Sequence, residues 1–285
     1  MVSIDCSHPD IEELLDTKMK GDRLQSMNVS IKFTDEFMTA VDCDKPYTLK
    51  FDVKSTGEHI EKTIKAREFF KKFCECQWNW GDPGALFIDR FDEYNLLSGY
   101  DNFHILTTNP CAELPLGAWG SCNLGSINLA KFVHMPTGKF CWDSFIDTVH
   151  VAVRALNDAL DYSYDKQPYE ENRKYIRDWR PIGLGVFGYA DMLVELGLEY
   201  GSEKALEFTR KLFHCLTNEA VKASALLCQD YFNTFGEYDY DKTADSKFFQ
   251  SLDDDTKECV KEHGLLNGQI ISVAPTGSIS GLAGR

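Results

Sequence analysis

Asn109, Cys111 and Glu113 place an amide, a thiol and a carboxylate at i, i+2 and i+4, and a second thiol, Cys122, follows eleven residues after Cys111. In an extended segment, alternation puts these first three side chains on one face and turns Pro110 and Ala112 away. Pro110 lacks an N–H and biases Asn109 away from helix, which fits that conformation. A carboxylate two positions from a thiol opposes its ionisation, so thiolate nucleophilicity is disfavoured. Hydrogen-atom or electron chemistry at sulfur remains, with Glu113 as general base and Asn109 orienting a substrate hydroxyl. Taken alone, the five residues read more readily as a loop holding an ordinary buried cysteine.

Two further segments have the form of ligand sites. Pro275-Thr276-Gly277-Ser278 follows a short apolar run from Ile270 to Ala274. Gly277 permits backbone that converges N–H groups, the two hydroxyls add neutral donors, and a helix starting there would favour phosphate. A simple capped turn is the plainer reading of the same residues. Gly183-Leu184-Gly185-Val186-Phe187-Gly188 matches the dinucleotide pattern G-x-G-x-x-G. The charged run Tyr175 to Arg180 and Pro181 make a poor central strand before it, so close helix packing through the glycines is expected, with a nicotinamide-dependent oxidoreductase as the minor alternative.

The stretch Thr107 to Leu129, with Asn-Pro-Cys-Ala-Glu and Gly-Ser-Cys-Asn-Leu-Gly, resembles the finger loop of ribonucleotide reductases, and its cysteine spacing resembles the adenosylcobalamin-dependent class. Ser7 to Glu13, Ile182 to Leu193 and Ala274 to Ser280 resemble three other family segments, in family order. The resemblance implies a helix-rich α/β fold, part of a ten-stranded α/β barrel of the reductase and glycyl radical enzyme type, over residues 1–285. The finger loop would occupy about 105–125 and the phosphate loop about 274–280.

It also implies roles. Cys111 matches the thiyl radical that removes the ribose 3′ hydrogen, Glu113 the acceptor of the 3′-hydroxyl proton, and Asn109 the amide beside it. Cys122 matches one of two cysteines whose oxidation to a disulfide drives loss of the 2′-hydroxyl, with an external dithiol of thioredoxin type as reductant. Asn109 to Glu113, with Pro110 and Ala112, and Ala274, Pro275, Thr276, Gly277, Ser278 and Ile279 would touch a ribonucleoside di- or triphosphate. Adenosylcobalamin, or alternatively a separate metal-containing subunit, would supply the radical. Ala112 departs from the glycine the family often has, and Pro181 from a basic or small residue.

The resemblance starts inside the barrel and stops after the phosphate loop. A fragment is therefore expected, dimeric when complete, that needs the remaining barrel segments. Alone it should be inactive and prone to associate; a non-catalytic assembly piece is the alternative.

A formal charge of −15 argues against a nucleic-acid backbone or anionic membrane as partner, and no apolar run approaches a membrane span. Ten cysteines without a Cys-x-x-Cys read as reduced thiols of a cytoplasmic protein, and the seven histidines show no metal-ligand pairing. His104 carries no role.

The elements that must hold these groups are mostly helical. A short helix is expected from Pro9 to about Lys18, a strand at Met27–Phe33, a helix begun by Thr34, and one long helix over His59–Trp78 ended by Gly81-Asp82-Pro83-Gly84. A loop from Tyr94 to Phe103 then leads to the cysteine segment. Phe145, Val149, Val153, Leu156 and Leu160 mark another helix, Ser202 caps a further one toward Cys228, and Tyr238–Glu262 reads as a polar surface excursion.

Overall fold

The computed structural model describes residues 1–20, 26–231 and 233–284. The chain divides into two compact units, Met1–Glu93 with Thr107–Ala112, and Tyr94–Leu106 with Glu113–Arg285.

The first unit is built on a parallel sheet in the order β1 (Val2–Asp5), β2 (Val29–Phe33), β5 (Gly84–Phe87), with Ile4 opposite Ile31 and Phe33 opposite Phe87. As the central strand, β2 is buried on both faces except at Lys32, whose ammonium lies 2.9 Å from Asp5. Helices α1 (Ile11–Lys20), α2 (Asp35–Asp42), α3 (Ala66–Trp80) and α4 (Ile88–Glu93) belong to the same unit. Thr34 caps α2 by accepting the Phe37 N–H at 3.2 Å, and the first-turn acids Asp35 and Glu36 complement the helix dipole. Phe33, Phe37, Phe69 and Phe73 interlock mostly edge to face at the centre of this unit's core.

The helix expected over His59–Trp78 is two elements. β3 (Pro46–Val53) and β4 (Glu58–Lys65) form an antiparallel hairpin, and α3 starts only at Ala66. Ile60 and Ile64 fit a helical stripe, but the same spacing fits alternate positions of a strand. The ladder to β3 decides the outcome, and Gly57, at φ +73°, closes the turn.

In the second unit, β8 (Asn123–Asn128) pairs in parallel with β11 (Ile182–Phe187), Asn123 opposite Ile182. The two-residue strands β6 (Thr107–Thr108, first unit) and β7 (Pro115–Leu116) lie between β5 and β8 in the chain. β9 (Val133–His134) and β10 (Lys139–Phe140) make a short antiparallel pair. The stripe read from Phe145 to Leu160 is the buried face of α5 (Trp142–Tyr164). It packs with α8 (Glu203–Tyr231), whose Ala205 N–H is capped by the Ser202 hydroxyl at 3.2 Å. α6 (Glu170–Trp179) and α7 (Tyr189–Glu195) flank β11 in sequence.

The charged run before the glycines is α6, ended by Arg180 in the left-handed region (φ 41°). The glycines lie in strand β11, and the close packing expected through them is made not by a helix but by another extended segment. A Cβ at Gly183 would sit 2.3 Å from Leu124 Cδ2 and 2.9 Å from Ser272 Cβ, and one at Gly185 would sit 2.5 Å from the Ser272 carbonyl oxygen. They admit the segment 269–273, which runs alongside β11 through Ile182 N–H to Gln269 O (2.9 Å), Leu184 N–H to Ile270 O (2.8 Å) and Ser272 N–H to Leu184 O (3.0 Å). A dinucleotide turn needs its glycines after the strand, and only Gly188 lies there, so the nicotinamide alternative loses its motif.

Tyr238–Glu262 is not a polar excursion. It forms α9 (Tyr240–Asp245), α10 (Lys247–Gln250) and α11 (Asp254–His263), and buries Thr243, Phe249, Leu252, Thr256 and Val260. Its acids are partly cap residues, such as Asp239, which accepts from Asp241 and Lys242 N–H.

One buried polar knot fixes the unit's interior. Asn157 and Asn267, both fully buried, exchange amide hydrogen bonds at 3.0 and 2.8 Å. Ser224 donates to Asn267 Oδ1 (2.9 Å), Asn267 Nδ2 donates to the Arg180 carbonyl (2.8 Å), and Arg180 is held by Asp161 at 2.7 Å. Among the described residues no helix is long and apolar enough to cross a membrane.

Candidate active site

Asn109 to Ala112 is a tight turn rather than the extended segment read from sequence. Ala112 N–H donates to the Asn109 carbonyl at 3.0 Å, the Thr108 hydroxyl donates to the same carbonyl at 2.9 Å, and Pro110 occupies the second turn position that its fixed φ suits. Strand alternation therefore does not set the directions of these side chains. Cys111 is exposed near the tip of the turn, Pro110 and Ala112 are exposed, and Asn109 is half-buried. Ala112 sits at φ +66°, where a Cβ is strained. Ala112→Gly should therefore raise stability by roughly 0.5–1 kcal/mol, the relieved strain being partly offset by the greater freedom of the unfolded glycine. Thermal or denaturant unfolding of the two forms reads this directly; a loss of stability would refute it.

The division between units falls after Ala112, so Glu113, Cys122 and the 274–279 loop belong together in the second unit. Glu113 is half-buried, and its Oε2 is buried without a hydrogen-bond partner among the described residues. Burying a carboxylate oxygen unpaired is costly, so Glu113 Oε2 is a candidate acceptor for a ligand's donor. Cys122 immediately precedes β8, and its Sγ would lie 3.3 Å from a Cβ at Gly183. Burial, with the Glu113 charge as a second cause, pushes its thiol pKa up to about 12. At neutral pH Cys122 is therefore an S–H group, able to give up hydrogen and poorly suited to act as a thiolate.

The loop after residue 273 carries its unusual backbone at Thr276, not at Gly277 as the sequence implied. Thr276 has φ 57°, and Gly277 opens the six-residue helix α12 (Gly277–Leu282) with open space where a Cβ would stand. Gly277 thus contributes bare, accessible backbone rather than a special dihedral. Ala274 and Thr276 are half-buried, and Pro275, Gly277, Ser278 and Ile279 are exposed.

Three residues that sequence reading passed over tie the 113–122 loop to its surroundings. The buried Ser272 hydroxyl donates to the Glu113 carbonyl at 2.9 Å, and Gln269 Nε2 donates to the Pro115 carbonyl at 2.8 Å. The Tyr175 hydroxyl donates to Gln269 Oε1 (3.4 Å) and accepts the Gly117 N–H (3.5 Å), both long contacts. The Tyr175 ring lies under Gly117 and Gly120, where added Cβ atoms would come within 3.2 and 3.1 Å of it. The one available signal was Ser272, a polar residue inside an apolar run. All ten cysteines are free, and among the described residues no group of three His, Cys, Asp or Glu side chains is placed to hold a metal ion.

The family model for the ribonucleotide reductase barrel domain matches residues 1–285. The chain belongs to the ribonucleotide reductase family. It is 35% identical to a vitamin B12-dependent ribonucleoside-diphosphate reductase of Thermoplasma acidophilum over 281 residues, 98% of this chain and 33% of that protein. It is also 35% identical to a reductase of the same description from Mycobacterium tuberculosis over 285 residues, 100% of this chain and 37% of that protein. A ribonucleoside-diphosphate reductase subunit alpha of Chlamydia pneumoniae is 26% identical over 263 residues, 81% of this chain and 24% of that protein. This reductase chain thus spans about a third of the length of the curated relatives it matches best among these. The reductase barrel domain here is an α/β, helix-rich structure, and the described residues contain no closed barrel.

Proposed function

We propose that this chain is catalytic barrel of an adenosylcobalamin-dependent ribonucleotide reductase that converts ribonucleoside diphosphates to 2′-deoxyribonucleotides. The observation that carries the reading is the pairing of a buried, unpartnered Glu113 oxygen with a neighbouring Cys122 held as S–H, in a loop that begins at the exposed Cys111. Ribose reduction needs a radical at sulfur, a base for a secondary hydroxyl, and thiol hydrogens for the vacated carbon. Cys111, Glu113 and Cys122 would supply the radical sulfur, the base and one of those thiols.

Adenosylcobalamin, when bound, supplies the hydrogen-abstracting radical, and the exposed Cys111 thiol is the group that would surrender its hydrogen. Cys111 as a thiyl then takes the 3′ hydrogen, while Glu113 takes the 3′-hydroxyl proton and Asn109 orients that hydroxyl. The 2′-hydroxyl leaves as water with a proton from one thiol of the redox pair, the pair's other hydrogen goes to the 2′ carbon, and Glu113 returns its proton to the 3′ oxygen. Cys122 and a second cysteine provide the two electrons and become a disulfide, and Cys111 returns the 3′ hydrogen. An external thioredoxin-like dithiol reduces the disulfide, so the net change is ribonucleotide plus dithiol to deoxyribonucleotide, disulfide and water.

The loop Ala274, Pro275, Thr276, Gly277, Ser278 and Ile279 would receive the substrate diphosphate on backbone N–H groups, aided by the Thr276 and Ser278 hydroxyls. The fold would be part of the ten-stranded family barrel, the functional enzyme a homodimer, and a reducing cytoplasm the compartment that suits ten free cysteines. The cobalamin form is favoured over a separate radical-generating subunit because the two relatives at 35% identity, matched over 98% and 100% of this chain, bear B12-dependent names.

The test is deoxyribonucleotide formation by the chain, alone and combined with the remaining barrel segments of a related reductase, with a dithiol and with or without adenosylcobalamin. Turnover only with the cofactor supports the reading. Turnover that needs a metal-containing second protein instead would move the chain to the two-subunit class, and no turnover in any combination would sink it.

A further inference from the structure

We propose that Ser272 is a positioning residue for Glu113, so that the segment carrying the phosphate loop also sets the base. This rests on the reading of Glu113 as acceptor of the 3′-hydroxyl proton. Ser272 lies three residues before Pro275, on the segment that β11 grips through Ile182, Leu184 and the Ser272 N–H. Its hydroxyl donates outward to the Glu113 carbonyl at 2.9 Å, and the residue is only 4% exposed, so water cannot easily replace that bond.

Gly183 and Gly185 remove the side chains that would otherwise push Ser272 away from β11, which places its Cβ and carbonyl at the distances already given. Gln269, on the same segment, holds Pro115 two residues beyond Glu113. The strap 269–273 therefore fixes the main chain on which Glu113 rides at two points, and directly after it the chain becomes the loop for substrate phosphate. A displacement of the carboxylate by about 1 Å can cost about a hundredfold in rate, because the acceptor must lie within hydrogen-bond reach of the hydroxyl. Substrate anchoring and base placement thus share one rigid piece of backbone, held by β11 rather than by the ligand.

The experiment compares wild type and Ser272→Ala in the assembled, cobalamin-loaded enzyme and in the chain alone. In the assembled enzyme kcat should fall about tenfold, as expected for one lost positioning hydrogen bond, with KM for the nucleotide within about twofold. The 3′-deuterium isotope effect on kcat should rise as the hydrogen-abstraction step becomes slower. A purely structural role would lower stability without that split or that isotope effect. In the chain alone, Cys122, nine residues after Glu113, should react several-fold faster with iodoacetamide in Ser272→Ala, with exposed Cys43 as internal reference.

An inactive wild type overturns the reductase reading before any variant is made. An active wild type with unchanged kcat and isotope effect in Ser272→Ala overturns the positioning role alone. Unchanged Cys122 labelling would show that the strap does not hold the loop, and would overturn it without reference to catalysis.

Discussion

In the assembled enzyme, Cys111→Ala should abolish deoxyribonucleotide formation, by at least about a thousandfold, while leaving the fold and nucleotide affinity nearly untouched. The asymmetry follows from where the residue sits. Cys111 is exposed near the tip of the Asn109–Ala112 turn, and the turn's closing bond uses main-chain atoms of Asn109 and Ala112, so the sulfur contributes little to stability. Substitution at such a position costs within about 0.5 kcal/mol. No other side chain is offered for the hydrogen-atom step. Cys122→Ala would behave differently, since one turnover's chemistry at the 3′ carbon does not require it until reducing equivalents are drawn. Product assays beside a melting curve and nucleotide titration separate these cases. A Cys111→Ala enzyme with more than a few per cent of wild-type turnover would remove the radical role.

Gly185→Ala should be among the most damaging conservative changes in the second unit, costing about 3 kcal/mol, the upper end for forcing an added carbon into a packed interior. The new Cβ would lie 2.5 Å from the Ser272 carbonyl oxygen and 3.1 Å from Val273 Cα, and both are backbone atoms that cannot rotate aside. The strap must then lift off β11, weakening the bonds from Leu184 and to Leu184 that hold it. For a unit of this size the midpoint of thermal unfolding should drop by roughly 6–12 °C. Gly277→Ala is the matched control, because a Cβ there meets nothing within 4 Å. Equal melting temperatures for the two variants would contradict the close packing of strap on strand.

Much of this architecture could be read from local sequence, and what could not shares a cause. Thr34, Ser202 and the stripe from Phe145 to Leu160 act within a few residues, and α2, α8 and α5 form where those signals place them. The hairpin of β3 and β4 escaped because Ile60 and Ile64 satisfy two periodicities and only the distant partner strand chooses between them. Gly183 and Gly185 escaped likewise. Their need for missing side chains comes from Ser272, which lies nearly ninety residues on in sequence and is invisible to any local pattern. At the candidate site the residue types of Asn109, Cys111, Glu113 and Cys122 were legible, since chemistry is a property of type. Their conformation was not: a turn with Ala112 at positive φ replaced the extended segment, and Thr276 took the dihedral expected of Gly277. Burial of Phe249 and Val260 was hidden beneath the acids of Tyr238–Glu262, which are caps and solvent-facing turns of amphipathic helices.

The paired amides of Asn157 and Asn267 bear on how this sequence can drift. Changing one of them to a hydrocarbon leaves part of the other's amide unpaired in the interior, whereas changing both together avoids that penalty and leaves the Ser224 hydroxyl and the Arg180 carbonyl, the other partners of Asn267, to be satisfied. Mutational paths through these sites therefore cross a valley unless the two substitutions arrive jointly. The positions should behave as a linked pair across 110 residues of chain, locking the helical layer and the start of the strap into one inherited unit.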